Sequence, residues 1–170
     1  MKAHNRHALF AISLLAGLFL INWLDDDSLR SLPDLAFVDI DGKQHTFNQY
    51  KGNPILVTFW ATDCPGCIKE MPDLIHLYNT YASQGLTMID IALAHDSPNH
   101  IKAMRAERKL PFVISWDSDG SLARAFDNVR VTPTHFLINP KGDIVMRKLG
   151  GLNTERLYKH LQNMGLSIIN

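Results

Sequence analysis

Short apolar runs bounded by turn residues recur from residue 35 onward, and they predict β-strands. The first run alternates apolar with polar residues around an Asp41-Gly42 turn, which is typical of a β-hairpin. Two later runs, 55–61 and 86–94, are mostly apolar, as in strands buried on both faces. The predicted strands lie in LAFVDIDGKQHTF (35–47), ILVTFWA (55–61), LTMIDIALA (86–94), FVISWD (112–117), THFLIN (134–139) and DIVMRKL (143–149).

Between these strands the apolar positions recur every three to four residues, the period of an α-helix. The clearest case begins at Pro65 and ends at Gly85, and Pro72 should kink it. Its apolar stripe consists of Ile68, Met71, Leu74, Ile75, Tyr78 and Tyr81. The other predicted helices are about 98–109, opened by Ser97-Pro98, a short one in GSLARAFDN (120–128), and about 153–164, capped by Asn153 or Thr154.

The order of these elements is a β-α-β unit followed by a β-β-α unit. This order predicts an α/β domain over residues 35–170, with a mixed central β-sheet and helices on both faces. No internal repeat or low-complexity tract interrupts it. We therefore expect one folded domain.

The N-terminal segment differs in kind from the rest of the chain. Basic residues precede the apolar run ALFAISLLAGLFLINWL (8–24), which as a helix would span roughly 26 Å. The run ends in Asn-Trp-Leu followed by three aspartates rather than in small residues, which favours an uncleaved signal anchor over a cleaved signal or a core helix. We expect a transmembrane helix at 1–24, a linker at 25–34, and a domain on the extracytoplasmic side of a bacterial inner membrane.

Charge and composition narrow the range of possible functions. Lys+Arg and Asp+Glu both number 17, so no basic field exists to hold nucleic acid. An apolar content of 46% is that of a globular protein. The outward orientation places the domain where disulfides can form.

The two cysteines of the chain, Cys64 and Cys67, lie together in WATDCPGC (60–67), where the first buried strand passes into its helix. As a structural staple, a disulfide closing so small a loop would remove little chain entropy. A structural zinc site would need a second ligand pair, which the sequence lacks. A C-x-x-C pair that opens a helix in a β-α-β setting is typical of a redox centre, with Cys64 attacking and Cys67 resolving.

The stretches VTFWATDCPGCIKEMPDL and VRVTPTHFLINPKGDIVMRKLGG resemble the thioredoxin fold and, more narrowly, the membrane-tethered TlpA/ResA-like thiol–disulfide oxidoreductases. The resemblance covers about 35–165. It implies that Pro133 is a cis-proline facing the cysteines, that Thr132 offers backbone hydrogen bonds to a substrate strand, and that Trp60 lines the site as well as the core.

The resemblance also implies a function. The dithiol would reduce disulfides of envelope proteins, including targets in cytochrome c maturation, and a membrane donor of the DsbD/CcdA type would re-reduce it. No cofactor is expected. A thiol oxidase or isomerase remains an alternative, because the direction of exchange depends on the reduction potential.

Several residues near the cysteines are candidates for tuning or proton transfer. Plain thioredoxin has a buried acid where this chain has Thr58, so proton transfer to and from Cys67 must use another group or water. Glu70, His95 and Asp96 are the candidates. Glu70 is equally interpretable as a solvated helix acid, and His95 and Asp96 as a polar pair in a loop. Asp63 is interpretable as the helix N-cap or, if exposed, as a charge that selects substrates.

Two other kinds of chemistry are alternatives to this interpretation. His135 is expected to be a half-exposed strand histidine, but a copper-binding chaperone would use it as a ligand beside the two thiolates. A peroxiredoxin-type peroxidase would carry P-x-x-x-[ST]-x-x-C, and this chain has Val57 and Ala61 at those positions. The peroxidase alternative therefore ranks last.

Overall fold

The computed structural model describes residues 31–167 of the chain. Each strand and helix expected from the apolar pattern is present there. The strands are β1 (Ala36–Val38), β2 (Gln44–Thr46), β3 (Ile55–Trp60), β4 (Thr87–Ala92), β5 (Val113–Trp116), β6 (Thr134–Ile138) and β7 (Ile144–Leu149). The α-helices are α1 (Pro65–Tyr81), α2 (Pro98–Arg108), α3 (Ser121–Ala125) and α4 (Thr154–Asn163), and short 3-10 helices follow β2 and α1.

Five strands form a mixed sheet in the order β5-β4-β3-β6-β7. Strand β3 runs parallel to β4 and antiparallel to β6, so it occupies the centre. Strands β1 and β2 form a separate antiparallel hairpin. The hairpin is fastened to β5 by the hydrogen bond from Ile40 N to Ile114 O, 2.9 Å long. The prediction of a mixed sheet is confirmed.

The two faces of the sheet carry separate apolar clusters because successive side chains of a strand point to opposite sides. From β3, Leu56 and Trp60 pack with residues of α1, α2 and α4. Val57 and Phe59 pack on the other face with α3. Helices therefore cover both faces, as expected. Both cysteines lie in the first cluster, on the α1 face of the sheet.

Helix ends are set by the residues that the sequence suggested. Ser97 Oγ accepts a hydrogen bond from His100 N at 3.3 Å, and Asn153 Oδ1 accepts one from Arg156 N at 2.9 Å. These caps satisfy backbone N–H groups that have no partner within the helix. Pro72 lies inside α1 without ending it.

The predicted transmembrane helix at 1–24 lies outside the described residues. Between residues 31 and 167, no helix is long and apolar enough to cross a bilayer. The end of the predicted linker is packed against the domain, since Leu32 is buried and its N–H donates to Gly142 O at 2.7 Å.

Candidate active site

The cysteine pair lies at the N-terminus of α1, immediately beyond the end of the central strand β3. The two residues form a disulfide, with their Cα atoms 5.3 Å apart. Cys64 is 8% exposed and Cys67 is 2% exposed. The first cysteine is therefore the more accessible of the two, as expected for the attacking sulfur.

Cys64 is itself the N-cap of α1. Its Sγ accepts a hydrogen bond from Cys67 N at 3.1 Å, and Pro65 begins the helix. Interpreting Asp63 as the N-cap was therefore wrong. A helix N-terminus presents unpaired N–H groups and the positive end of the helix dipole, and both stabilise a thiolate at Cys64 once the disulfide is reduced.

Asp63 lies at the rim of the site, with its side chain 76% exposed. Its Oδ1 is 3.3 Å from His95 Nε2, and the His95 side chain is 54% exposed. A charge so well solvated acts weakly on its neighbours. The exposed position favours the second interpretation of Asp63, as a charge presented to substrates.

Removing the Asp63 charge is expected to ease ionisation of Cys64 slightly. In Asp63→Asn, the midpoint of the pH profile for Cys64 alkylation should move to lower pH by less than about one unit, because solvent screens the carboxylate. Iodoacetamide trapping of the reduced protein at a series of pH values measures it. His95→Gln is the matched control for loss of the rim contact without loss of the negative charge. A midpoint that stays fixed or rises in Asp63→Asn would refute the expectation.

Asp96, the neighbour of His95 in sequence, is buried. Its carboxylate accepts hydrogen bonds from Thr62 N at 2.7 Å, Thr62 Oγ1 at 2.8 Å and Ser97 N at 2.7 Å. Asp96 therefore ties the segment before Cys64 to the segment after β4. His95 and Asp96 were expected as one polar pair, but they bind different residues.

The loop before β6 lies beside the cysteines. The Thr132-Pro133 peptide bond is cis, as the resemblance implied. A Cβ placed on Gly66 would lie 3.5 Å from Pro133 Cδ, an ordinary van der Waals distance, so the proline lies next to the segment between the cysteines. Gly150 N donates to Pro133 O at 2.8 Å and fixes the loop from the other side.

Glu70 is buried, so its interpretation as a solvated helix acid was wrong. It lies one turn after Cys67 on the same face of α1, at the i,i+3 spacing that brings side chains together. Glu70 Oε2 accepts a hydrogen bond from Leu152 N at 3.2 Å. Glu70 Oε1 is 3.1 Å from His135 Nε2, although the two atoms are not aligned for a hydrogen bond.

His135 is also fully buried, which corrects the expectation of a half-exposed strand histidine. In the sheet it is the register partner of Thr58, and Thr58 Oγ1 lies 3.2 Å from His135 Nδ1. On the other side of Thr58, the register partner is Asp90 of β4. Polar residues on three adjacent strands therefore form one row beneath α1.

Asp90 is the member of this row that sequence reasoning missed. It is 2% exposed, and among residues 31–167 its Oδ1 has no hydrogen-bond partner. Burial, together with the negative charge of Glu70, raises the pKa of Asp90 well above its usual range. The signal was present in LTMIDIALA, where one acid interrupts an otherwise apolar buried strand.

The raised pKa of Asp90 makes stability depend on pH. The folded protein keeps this proton to a higher pH than the unfolded chain, so this contribution to the free energy of unfolding falls as pH rises above about 4. Asn is neutral throughout. Asp90→Asn should therefore unfold at higher urea than the wild type at pH 7, with the advantage disappearing towards pH 3. Urea denaturation of the oxidised proteins measures this. The exposed Asp73→Asn is the control, and an advantage independent of pH would contradict the account.

The copper alternative finds no support here. The ring nitrogens of His135 face Glu70 and Thr58. Among the described residues, no group of three or more His, Cys, Asp or Glu side chains is arranged to hold a metal ion.

A reactive dithiol at a helix N-terminus, opposed by a cis-proline and placed at the end of a central parallel strand, defines a class of protein, the thioredoxin-fold dithiol proteins. Residues 30–147 match the model of the AhpC/TSA family. The thiol-disulfide oxidoreductase ResA of Geobacillus kaustophilus (strain HTA426) is 31% identical over 133 residues, which cover 78% of this chain and 75% of that protein. The chain belongs to the AhpC/TSA family and, within it, to the thiol–disulfide oxidoreductases of the ResA type.

Solved structures agree with this assignment. A thiol:disulfide interchange protein of the thioredoxin family from Chlorobium tepidum TLS superposes with a TM-score of 0.72 at 26% identity, covering 84% of this chain and 99% of that one. StoA from Bacillus subtilis superposes with a TM-score of 0.62 at 27% identity, covering 74% and 96%. Thiol–disulfide exchange through the Cys-x-x-Cys pair is thus the chemistry of this chain.

Proposed function

We propose that this oxidoreductase works as a reductase of protein disulfides in the bacterial envelope, anchored by its N-terminal segment. The observation that carries the proposal is the geometry of the dithiol. Cys64 caps α1 and is the more exposed sulfur, whereas Cys67 is buried beside Glu70. This geometry supports an attacking thiolate at the surface and a resolving thiol that needs an internal proton acceptor.

Exchange proceeds in two balanced steps. The Cys64 thiolate attacks one sulfur of the substrate disulfide, a Cys64–substrate bond forms, and the other substrate sulfur leaves as a thiolate. The Cys67 thiol then loses its proton and attacks Cys64 Sγ, which breaks the mixed disulfide. The substrate leaves with both thiols reduced, and the protein keeps the oxidised Cys64–Cys67 pair.

Glu70 is the proposed acceptor of the Cys67 proton. It is the carboxylate that shares the buried face of α1 with Cys67, at i,i+3 spacing. Thr58 occupies the strand position where thioredoxin carries its acid, and its hydroxyl faces His135 instead. Glu70, reaching the sheet from the helix, supplies the missing acid from the other side of the site.

The loop before β6 is the proposed substrate-binding edge. Within residues 31–167, the backbone N–H and C=O of Thr132 form no hydrogen bonds, and Thr132 is half-buried beside the cis-Pro133. A substrate segment in extended conformation would pair with these groups. Val131 and Leu149 are 53% and 51% exposed on the same edge, and they favour apolar side chains in the substrate.

The proposal also includes where the protein acts and which partners it has. The basic residues before the apolar run at 8–24 support a single N-terminal span, with the domain on the extracytoplasmic side. There, a membrane donor of the DsbD/CcdA type would return electrons to the Cys64–Cys67 disulfide. Disulfides formed by the cysteines of cytochrome c haem-attachment sites are the proposed substrates, along with other envelope disulfides.

The peroxidase alternative gains nothing from the structure. A peroxiredoxin places a hydroxyl residue three positions before its reactive cysteine, and this chain has Ala61 there. Val57, at the position of the signature proline, is fully buried in the apolar cluster on the face opposite the cysteines.

Direct reduction of a defined disulfide tests the proposal. The reduced protein is mixed with an oxidised peptide that contains the haem-attachment sequence C-x-x-C-H, and the peptide thiols are counted over time. The comparison is a second oxidised peptide, in which the two cysteines of the disulfide are far apart in sequence. Stoichiometric reduction of the C-x-x-C-H peptide supports the proposal. Oxidation of the reduced peptide by the disulfide form of the protein, with no reaction in the other direction, would replace it by an oxidase.

A further inference from the structure

His135 has no part in the exchange steps described so far, yet it lies directly against the proposed proton acceptor. It is on β6, two residues after the cis-proline, and it is fully buried. Its Nε2 is 3.1 Å from Glu70 Oε1, and its Nδ1 is 3.2 Å from Thr58 Oγ1. The Glu70 carboxylate is thus within ion-pair distance of Nε2, although the two atoms are not aligned for a hydrogen bond.

Both ring nitrogens of His135 lie close to polar groups. The Thr58 hydroxyl can donate to an unprotonated Nδ1 or accept from a protonated one. Nε2 lies 3.1 Å from a carboxylate oxygen of Glu70. Neither ring nitrogen therefore faces only apolar neighbours.

Three charged residues lie on the elements that surround the His135 ring. Glu70 approaches from α1, and Asp90 of β4 lies one strand beyond Thr58. On the opposite side, Lys148 of β7 is the register partner of His135, but its Nζ donates to Leu149 O at 2.7 Å. Two acids thus lie on the α1 and β4 sides of the ring, and the lysine on the β7 side is bound elsewhere.

We propose that His135 is a positioning residue that keeps Glu70 in its carboxylate form, and so sets the pH range in which Cys67 resolves the mixed disulfide. A donor or a positive charge beside a buried carboxylate stabilises its ionised form. The proton that leaves the Cys67 thiol passes to Glu70, and the ring holds the carboxylate ready for it. This inference rests on the proposed role of Glu70 as proton acceptor.

The attack by Cys64 and the attack by Cys67 can be measured separately with the chromogenic disulfide 5,5′-dithiobis(2-nitrobenzoate). Attack by Cys64 releases one nitrothiobenzoate ion and leaves the other as a mixed disulfide. Attack by Cys67 then releases the second. Stopped-flow traces of the reduced full chain over a range of pH give the rate of each phase, and the first phase is an internal control for correct folding.

In His135→Gln the second phase should lose rate at low pH, because a neutral amide stabilises the carboxylate less than a ring that can be protonated. The midpoint of its acid limb should move up by about one pH unit, which slows the phase about tenfold at pH values below both midpoints. The first phase should stay unchanged. The exposed His76→Gln on α1 should match the wild type in both phases.

The failures of the two proposals are distinguishable. If Glu70→Gln abolishes the acid limb but His135→Gln leaves its midpoint in place, the role of His135 is overturned and that of Glu70 stands. If Glu70→Gln leaves the limb intact, the proton step of the proposed function fails. Equal slowing of both phases in His135→Gln indicates a merely structural role and also overturns the inference.

A second variant keeps the test decisive if His135→Gln does not fold. Thr58→Val preserves the ring and its carboxylate partner, but removes the hydroxyl that accepts from Nδ1. A protonated ring then loses one hydrogen bond, so the same midpoint should move in the same direction by a smaller amount. Glu70→Gln combined with Thr58→Val should behave like Glu70→Gln alone, with no acid limb. An unmoved midpoint in Thr58→Val overturns the inference.

Discussion

Replacing Cys64 with serine is expected to abolish disulfide reduction, whereas replacing Cys67 with serine should trap the protein on its substrate. A serine hydroxyl is not ionised at neutral pH, so the first variant has no nucleophile at the helix N-terminus. The second variant keeps the exposed thiolate but cannot resolve the mixed disulfide. Its steady-state rate should fall at least about a thousandfold, while the first chemical step remains close to that of the wild type.

Mass spectrometry of the protein mixed with the oxidised C-x-x-C-H peptide tells the two variants apart. A covalent adduct should accumulate with Cys67→Ser and be absent with Cys64→Ser. Ser115→Ala, a change on β5 away from the dithiol, controls for general effects of substitution in the domain. An adduct with Cys64→Ser and none with Cys67→Ser would reverse the roles assigned from the exposure of the two sulfurs.

Glu70→Gln is expected to slow the resolving step by about a hundredfold at neutral pH, the usual contribution of a positioned proton acceptor. The amide has the shape of the carboxyl group, and its oxygen can still accept from Leu152 N, but it cannot take a proton from Cys67. The loss should therefore appear in catalysis with little change in folding.

The second phase of the nitrothiobenzoate reaction measures this loss, and urea denaturation of the oxidised form checks the fold. Asp73→Asn removes an exposed acid from the same helix and should leave both phases unchanged. A Glu70→Gln protein that resolves at the wild-type rate would show that Cys67 delivers its proton directly to solvent.

The fold was predictable because its determinants are local. Strand β3 is apolar at nearly every position, α1 carries an apolar stripe, and Ser97 and Asn153 begin α2 and α4 as N-caps. Each of these signals depends on neighbours within a few residues. They fixed the order of elements, and chain connectivity then left few topologies to consider.

The interior of the site was less predictable because it depends on pairing between distant strands. Glu70 and His135 are 65 positions apart in sequence and meet only when β6 lies beside β3. Their burial contradicts the usual exposure of charged and polar residues. Asp90 joins them through the register of β4 with β3. No local pattern contains that register, and only the acid within an apolar strand hinted at it.

The rim of the site was partly predictable. The cysteine spacing and the strand-to-helix junction placed Cys64 and Cys67 correctly. Asp63 beside them was ambiguous, because a short polar side chain before a helix is equally suited to capping and to solvent. In the structure the sulfur of Cys64 is the N-cap of α1 and Asp63 is exposed. Asp96 accepts a hydrogen bond from Thr62 N, in the segment that precedes Cys64.

The reduction potential of the Cys64–Cys67 pair tests the reductase proposal most directly. The full chain is equilibrated with mixtures of reduced and oxidised dithiothreitol or glutathione, and its free thiols are counted after acid quenching. A potential near or below that of thioredoxin, about −270 mV, is the result expected of a reductase. A potential near that of DsbA, about −120 mV, would mean that the protein oxidises its substrates and would contradict the account.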